Sequence, residues 1–198
     1  MIIDPRRVRV TTAATVEPVT ATEAKLHCRI DHATEDTLID RLIEVARQQC
    51  EDIAQRAFIT RTYTAYLDRW PGAWFELPYP PLIAVTSIKY YDDAGSAAVT
   101  YASSNYQVDA HSEPGRVALK TNLSWPSVTL RDLNGVEIIY TAGYGAAADV
   151  PDRYKAAMLL MIGHLYEHRE SVLVEQGVSV TQLPQGVYDL LFMDRGGW

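Results

Sequence analysis

Five residues near the end of a predicted helix could do chemistry. His164-Leu165-Tyr166-Glu167-His168 fits H-x-x-E-H, the inverted zinc-protease pattern. Histidines four apart face one way on a helix and can share a zinc ion, with the glutamate as general base. Catalysis would also need a third protein ligand and an open cleft. The nearest downstream carboxylate, Glu175, sits in a segment with little predicted structure. The plainer reading packs His164 at a helix–helix contact and puts His168 and Arg169 near the negative end of the helix dipole. So short a pattern arises readily by chance. A small zinc-dependent hydrolase using His164, Glu167 and His168 is therefore kept only as the alternative function.

Other constellations are weaker. His27, Cys28 and His32 with Cys50 contain no C-x-x-C pair, and adjacent His27 and Cys28 point different ways on a helix. Core cysteine is the better reading. Tyr140–Gly145 (YTAGYG) has neither the lysine nor the glycine spacing of a phosphate loop, and reads as a strand-to-helix turn needing glycine conformations. No serine sits in a G-x-S-x-G elbow, and no close carboxylate pair forms an acid/base dyad. Tyr63, Tyr66, Trp70, Trp74, Tyr79, Tyr90 and Tyr91 could stack single-stranded bases. Without basic residues between them, they read better as a sheet face or protein interface. These residues predict no cofactor, no metal and no enzymatic activity.

The element that must organise the chain is Asp149–Arg169 (DVPDRYKAAMLLMIGHLYEHR). Pro151 suits a first helical turn and Asp149 is placed to cap it. Tyr154, Ala157, Met158, Met161, Ile162, Leu165 and Tyr166 recur at helical spacing, too wide an arc for a half-exposed helix. This predicts a central buried helix onto which the preceding chain folds, followed by an exposed tail.

Ahead of it, Met1–Pro18 reads as an extended arm. Thr20 and Glu23 have capping-box spacing and open a short helix over Ala21–Arg29. A second helix runs from Glu35 to about Arg56, with Leu38, Ile39, Leu42, Val45, Ala46, Gln49, Cys50 and Ile53 on its packed face. Asp40, Arg41, Glu44, Arg47, Gln48, Glu51 and Asp52 cover the solvated face. The period then changes to that of strands: Ile59–Leu67, Trp74–Leu77, Ile83–Tyr91, Val99–Tyr101, Tyr106–Asp109, Arg116–Leu119 and Gly135–Ala142. Helices flanking a run of strands predict an α+β fold. The expected architecture is a helical bundle of two N-terminal helices and a long C-terminal one, with an inserted small antiparallel β subdomain and an extended C-terminal tail. The predicted divisions are 1–58 (arm and helices), 59–142 (β subdomain), 143–182 (central helix) and 183–198 (tail), with a further helical turn or two at Val187–Met193.

Composition narrows the partners. The 198 residues carry 18 Lys/Arg against 25 Asp/Glu, a net charge of -7, so no basic stripe exists to grip the outside of a duplex. Two cysteines within helical patterns predict reduced thiols and cytosolic folding. The first residues lack the apolar region of a signal peptide, and no apolar run reaches membrane-spanning length.

The order of three stretches carries more than any motif. VTATEAKLHCRIDHATEDTLIDRLIEVARQQCEDIAQRAF, LDRWPGAWFELPYPPLIAVTSIKYYDDAG and VEIIYTAGYGAAADVPDRYKAAMLLMIGHLYEHRES follow one another from Val19 onward. In that order they resemble the head–tail connector (adaptor) family of long-tailed phages, prophages and gene transfer agents, with Leu165 standing where that family often has Trp. The resemblance extends to about Arg195. It implies a structural protein whose Tyr166-Glu167-x-Arg169-Glu170 stretch is a helix end rather than a zinc site. It also implies a homo-oligomeric ring, commonly of twelve copies, beneath the capsid portal protein. Such a ring extends the channel for double-stranded DNA without reading sequence, and offers a surface to stopper or tail-completion proteins. The implied location is the virion neck, with assembly in the bacterial host cytoplasm and no membrane contact. The C-terminal segment would reach into the portal, giving a role to Leu183, Pro184, Val187, Tyr188, Leu190, Leu191, Phe192, Arg195 and Trp198, several of them too apolar for a loose tail.

Overall fold

A computed structural model describes residues 1–95, 97–168 and 184–192. They form an α+β protein of two compact units, one of strands (Met1–Ala14 with Gln55–Tyr144) and one of helices (Thr15–Ala54 with Gly145–Trp198).

The β unit is larger than the insertion the sequence suggests. Its first strand, β1 (Val8–Thr12), lies in the segment expected to be a free arm. Then follow β2 (Arg61–Leu67), β3 (Trp74–Leu77), β4 (Leu82–Tyr90), β5 (Val99–Tyr101), β6 (Tyr106–Asp109), β7 (Gly115–Leu119) and β8 (Val136–Ala142). An antiparallel sheet of order β1-β2-β8-β4-β5 accompanies a three-stranded one of order β3-β7-β6. The arm packs because its backbone finds partners. Val8 opposes Ala65, and farther upstream the Ile3 N–H donates to the Glu76 carbonyl at 3.1 Å. Ile3 is thereby buried.

Alternation decides the core. In β8, Val136, Ile138, Tyr140 and Ala142 are buried while the residues between them are half-buried, the period-2 pattern of a sheet face. Tyr63 lies between Tyr79 and Tyr140, ring centroids 5.2 and 5.4 Å away, and the buried Tyr140 hydroxyl donates to the Pro78 carbonyl at 3.0 Å. After β8, Gly143 adopts φ 132°, and a Cβ there would lie 2.6 Å from the Ile59 backbone. Any other residue would clash, as the expected glycine turn requires.

The helical unit contains α1 (Ala21–Cys28), α2 (Asp36–Ala54), α3 (Asp152–Glu167) and α4 (Gln185–Phe192). Thr20 and Glu23 form the predicted capping box: the Glu23 N–H donates to Thr20 Oγ1 at 3.2 Å, and the Thr20 N–H to Glu23 Oε2 at 2.7 Å. α3 is the expected buried helix, with Tyr154, Ala157, Met158, Met161 and Ile162 in the core. Asp149 does not cap it. Its carboxylate accepts from the Ala146 N–H at 2.8 Å, closing the short turn before α3, whose own N-cap is Pro151. The residues preceding α3 divide. α1 and α2 pack with it, and the strands build a core of their own.

Two further readings are corrected. The packed stripe of α2 is Ile39, Ile43, Ala46, Arg47, Cys50, Glu51 and Ala54, so two charges assigned to the solvated face are inside and Val45 is outside. Residues 185–192 form the short helix expected near Val187–Met193, but they are not an exposed tail: Val187 and Leu191, one turn apart, are both buried. Burial of that apolar pair is what holds α4 on the unit. Leu183, Arg195 and Trp198 lie outside the described residues.

Candidate partner-binding surfaces

The zinc alternative can be tested on geometry. His164 and His168 stack with ring centroids 4.7 Å apart, and a ring nitrogen of His168 lies 3.1 Å from the His164 carbonyl. His168 stands at the helix C-cap, where its backbone N–H donates to the same carbonyl at 3.0 Å. Burial first, and the neighbouring His168 second, hold the His164 imidazole below the usual histidine range. Among the described residues, no group of three or more His, Cys, Asp or Glu is placed to hold a metal ion. The pair therefore reads as a helix end, and the hydrolase is not favoured. His27, Cys28, His32 and Cys50 likewise form no such group among the described residues. Cys50 is fully buried, which pushes its thiol up to about 12. It is core, as the sequence suggests.

What the sequence did not reveal is an ionic knot inside the helical unit. Arg47, 5% exposed, donates from Nε to Glu17 at 2.7 Å and from Nη1 to Glu51 at 2.9 Å; Glu51 is 4% exposed. Burial pulls the Arg47 guanidinium down, but its hydrogen bond to Glu17 and the Glu51 and Glu17 charges outweigh that and leave it raised. The knot ties the segment ahead of α1 to α2. The i, i+4 spacing of Arg47 and Glu51 was a visible signal for a pair, but nothing in it distinguished a buried pair from an exposed one.

Aromatic residues of the β unit were expected to form a sheet face or interface, and the structure separates them. Trp70 stacks on Trp125 at 4.9 Å beside Tyr90 and Tyr101, inside the unit. Trp74 instead stands on the open face of the three-stranded sheet, 51% exposed. It borders a groove of about 470 Å³ with Gln107, Val108, Asp109, Arg116 and Ala118. The Ser112 hydroxyl and Arg116 hold Asp109 well below the usual carboxylate range. This lining offers surface, not a nucleophile with its base. A second groove of about 560 Å³ runs along Met1–Asp4, Arg7, Leu67–Trp70 and Asp132, with Arg7 bonded to Asp68 at 2.6 Å. It too is built of paired charges and apolar walls.

The tail residues named from the resemblance divide. Val187 and Leu191 face the core, while Pro184, Tyr188, Leu190 and Phe192 are half-buried. Tyr188 and Phe192 stack at 6.2 Å.

Residues 19–111 match the family model described as phage gp6-like head-tail connector protein. No curated protein matches the chain. A chain in the neck of an empty GTA particle, computed with C6 symmetry, is 23% identical with a TM-score of 0.73, covering 93% of this chain and 92% of that one. A chain of the native gene transfer agent virion is 21% identical with a TM-score of 0.70, covering 92% and 93%. A third, from the neck of the native GTA particle with C12 symmetry, is 21% identical with a TM-score of 0.67, covering 93% of each chain. Residues 19–111 span α1, α2 and β2 through β6; over this part the chain is similar to the phage gp6-like head–tail connector proteins, and over 92–93% of its length it has the fold of the gene-transfer-agent chains.

Proposed function

We propose that this protein is a structural, non-enzymatic connector of the neck of a phage-like particle. It closes with copies of itself into a ring, commonly of twelve, beneath the portal protein, extends the channel for double-stranded DNA and presents a face to stopper or tail-completion proteins. The observation that carries this reading is the family match over residues 19–111, continued by a fold shared with neck chains along 93% of the chain. The surfaces agree with it. Both grooves of the β unit are walled by paired charges and exposed apolar groups, as protein interfaces are.

The C-terminal segment is the proposed portal contact. α4 anchors it through Val187 and Leu191. Pro184, Tyr188, Leu190 and Phe192, together with Leu183, Arg195 and Trp198, form the contacting set. The net charge of -7 suits a channel along which DNA must slide without sticking.

Cryo-electron microscopy of particles containing this chain tests the proposal. The expected result is a closed ring of it directly below the portal, with the residues after Phe192 inside the portal. A neck built wholly from other chains would remove the connector reading. A ring whose C-terminal segment stays outside the portal would remove only the role of the tail.

A further inference from the structure

The two units differ in charge as well as in fold. The β unit has ten Lys/Arg against nine Asp/Glu, a net of +1, while the described residues of the helical unit have six against thirteen, a net of −7. Neighbours in a closed rotational ring meet through unlike patches of the same chain. Two helical units in contact would press one large negative charge against another, and like-charge juxtaposition is costly. A β unit against a helical unit avoids that repulsion.

Each unit carries a surface fitted to such a contact. β1 is the end strand of its sheet, so its outer side meets no strand among the described residues. Arg9, Val10, Thr11 and Thr12 are exposed, Val10 by 48%. Arg6 and Arg7 are tied to Asp4 and Asp68, whereas Arg9 has no ion-pair partner among the described residues. A charge on an edge strand also guards against strand addition, which would explain Arg9 alone but not the exposed valine beside it. In the helical unit, the outer side of α2 presents Asp40 and Glu44, one turn apart, with Val45 39% exposed next to them. Glu44 accepts from the neutral Gln48 amide at 3.0 Å, and neither carboxylate has a cation partner among the described residues. Arg41 adjoins them and leaves the local balance at one negative charge.

We infer that neighbouring copies in the ring join through the β1 edge of one and the outer face of α2 of the next. Arg9 faces Asp40 and Glu44, and Val10 meets Val45 between the charges. A small apolar contact rimmed by opposite charges has the make-up of a specific interface. This inference rests on the connector reading and adds the surfaces through which the ring closes.

The test uses the full chain, alone at high concentration and on portal-bearing heads, with ring yield read by native mass spectrometry and electron microscopy. Arg9→Glu and Glu44→Arg should each lower the yield about tenfold, the effect of roughly one lost and reversed charge contact per interface. Both positions are exposed, and circular dichroism verifies that the variants fold. An equimolar mixture of the two variants should restore the yield, because every contact in an alternating ring again joins opposite charges. Wild-type yield from either variant alone overturns the inference, as does a mixture no better than its components. If the unaltered chain makes no ring in either setting, the connector reading fails, and that outcome is distinct from failure of this contact.

Discussion

The β unit and the helical unit satisfy their interior polar groups by different chemistry. In the β unit two buried tyrosine tips find neutral carbonyls, Tyr140 donating to Pro78 and Tyr101 to Ser124, while the buried Trp70 Nε1–H has no hydrogen-bond partner among the described residues. In the helical unit the main interior polar feature is the Arg47–Glu17–Glu51 knot, two carboxylates sharing one guanidinium. Neutral bonds of this kind are individually modest and largely independent. A buried ion group is tolerated only while complete, because each charge left behind is unpaired in a medium that solvates it poorly. The helical unit should therefore be far more sensitive to loss of one polar side chain.

Arg47→Met is the largest test of that contrast. It removes the guanidinium that bridges Glu17 and the buried Glu51, and should cost about 3–5 kcal/mol in denaturant unfolding. Replacing Arg47 and Glu51 together with apolar residues of similar size should recover most of the loss. Failure of the double variant to recover would mean that the knot acts through something other than charge compensation.

Tyr140→Phe tests the other side. The ring, its stacking on Tyr63 and its burial stay, and only the bond to the Pro78 carbonyl goes. The expected cost is about 1–2 kcal/mol, the range for one neutral bond with its partner left unsatisfied. A loss as large as that of Arg47→Met would erase the contrast between the units.

The smallest expected effect concerns pH. His164 is held below its ordinary value of 6.5, chiefly by burial, so the unfolded chain takes up a proton at a higher pH than the folded one does. Its contribution to stability is complete above that ordinary value and is lost as pH falls through it toward the lowered folded value. His164→Gln should flatten this part of the stability–pH curve between pH 7 and 5. An unchanged slope would assign the acid sensitivity elsewhere.

Local signals in the chain were legible and held. The capping box at Thr20 and Glu23, the alternation of β8, the glycine demanded at position 143 and the apolar arc of α3 all follow from backbone chemistry within a few residues. The ordered stretches that resemble head–tail connectors were legible as well, because a family likeness needs only the sequence. Three things were not. The arm became β1 because an exposed edge of β2 was available to it, and Val187 and Leu191 became core because the helical unit had a surface to cover. Arg47 and Glu51 went inside because Glu17, 30 residues away from Arg47, completed their charge.

Apart from β1, the sequence by itself determined which segments are helix and which are strand, since those choices depend on periods of two and 3.6 and on turn residues. It also set the net charge and the absence of a recognisable catalytic pattern beyond His164–His168. Tertiary structure alone decided which charges are buried and how the chain divides, with Met1–Ala14 on the β side and Thr15–Ala54 on the helical side. The reason is physical. Burial and ion pairing are properties of surfaces brought together from distant parts of the chain, and no local pattern encodes the partner.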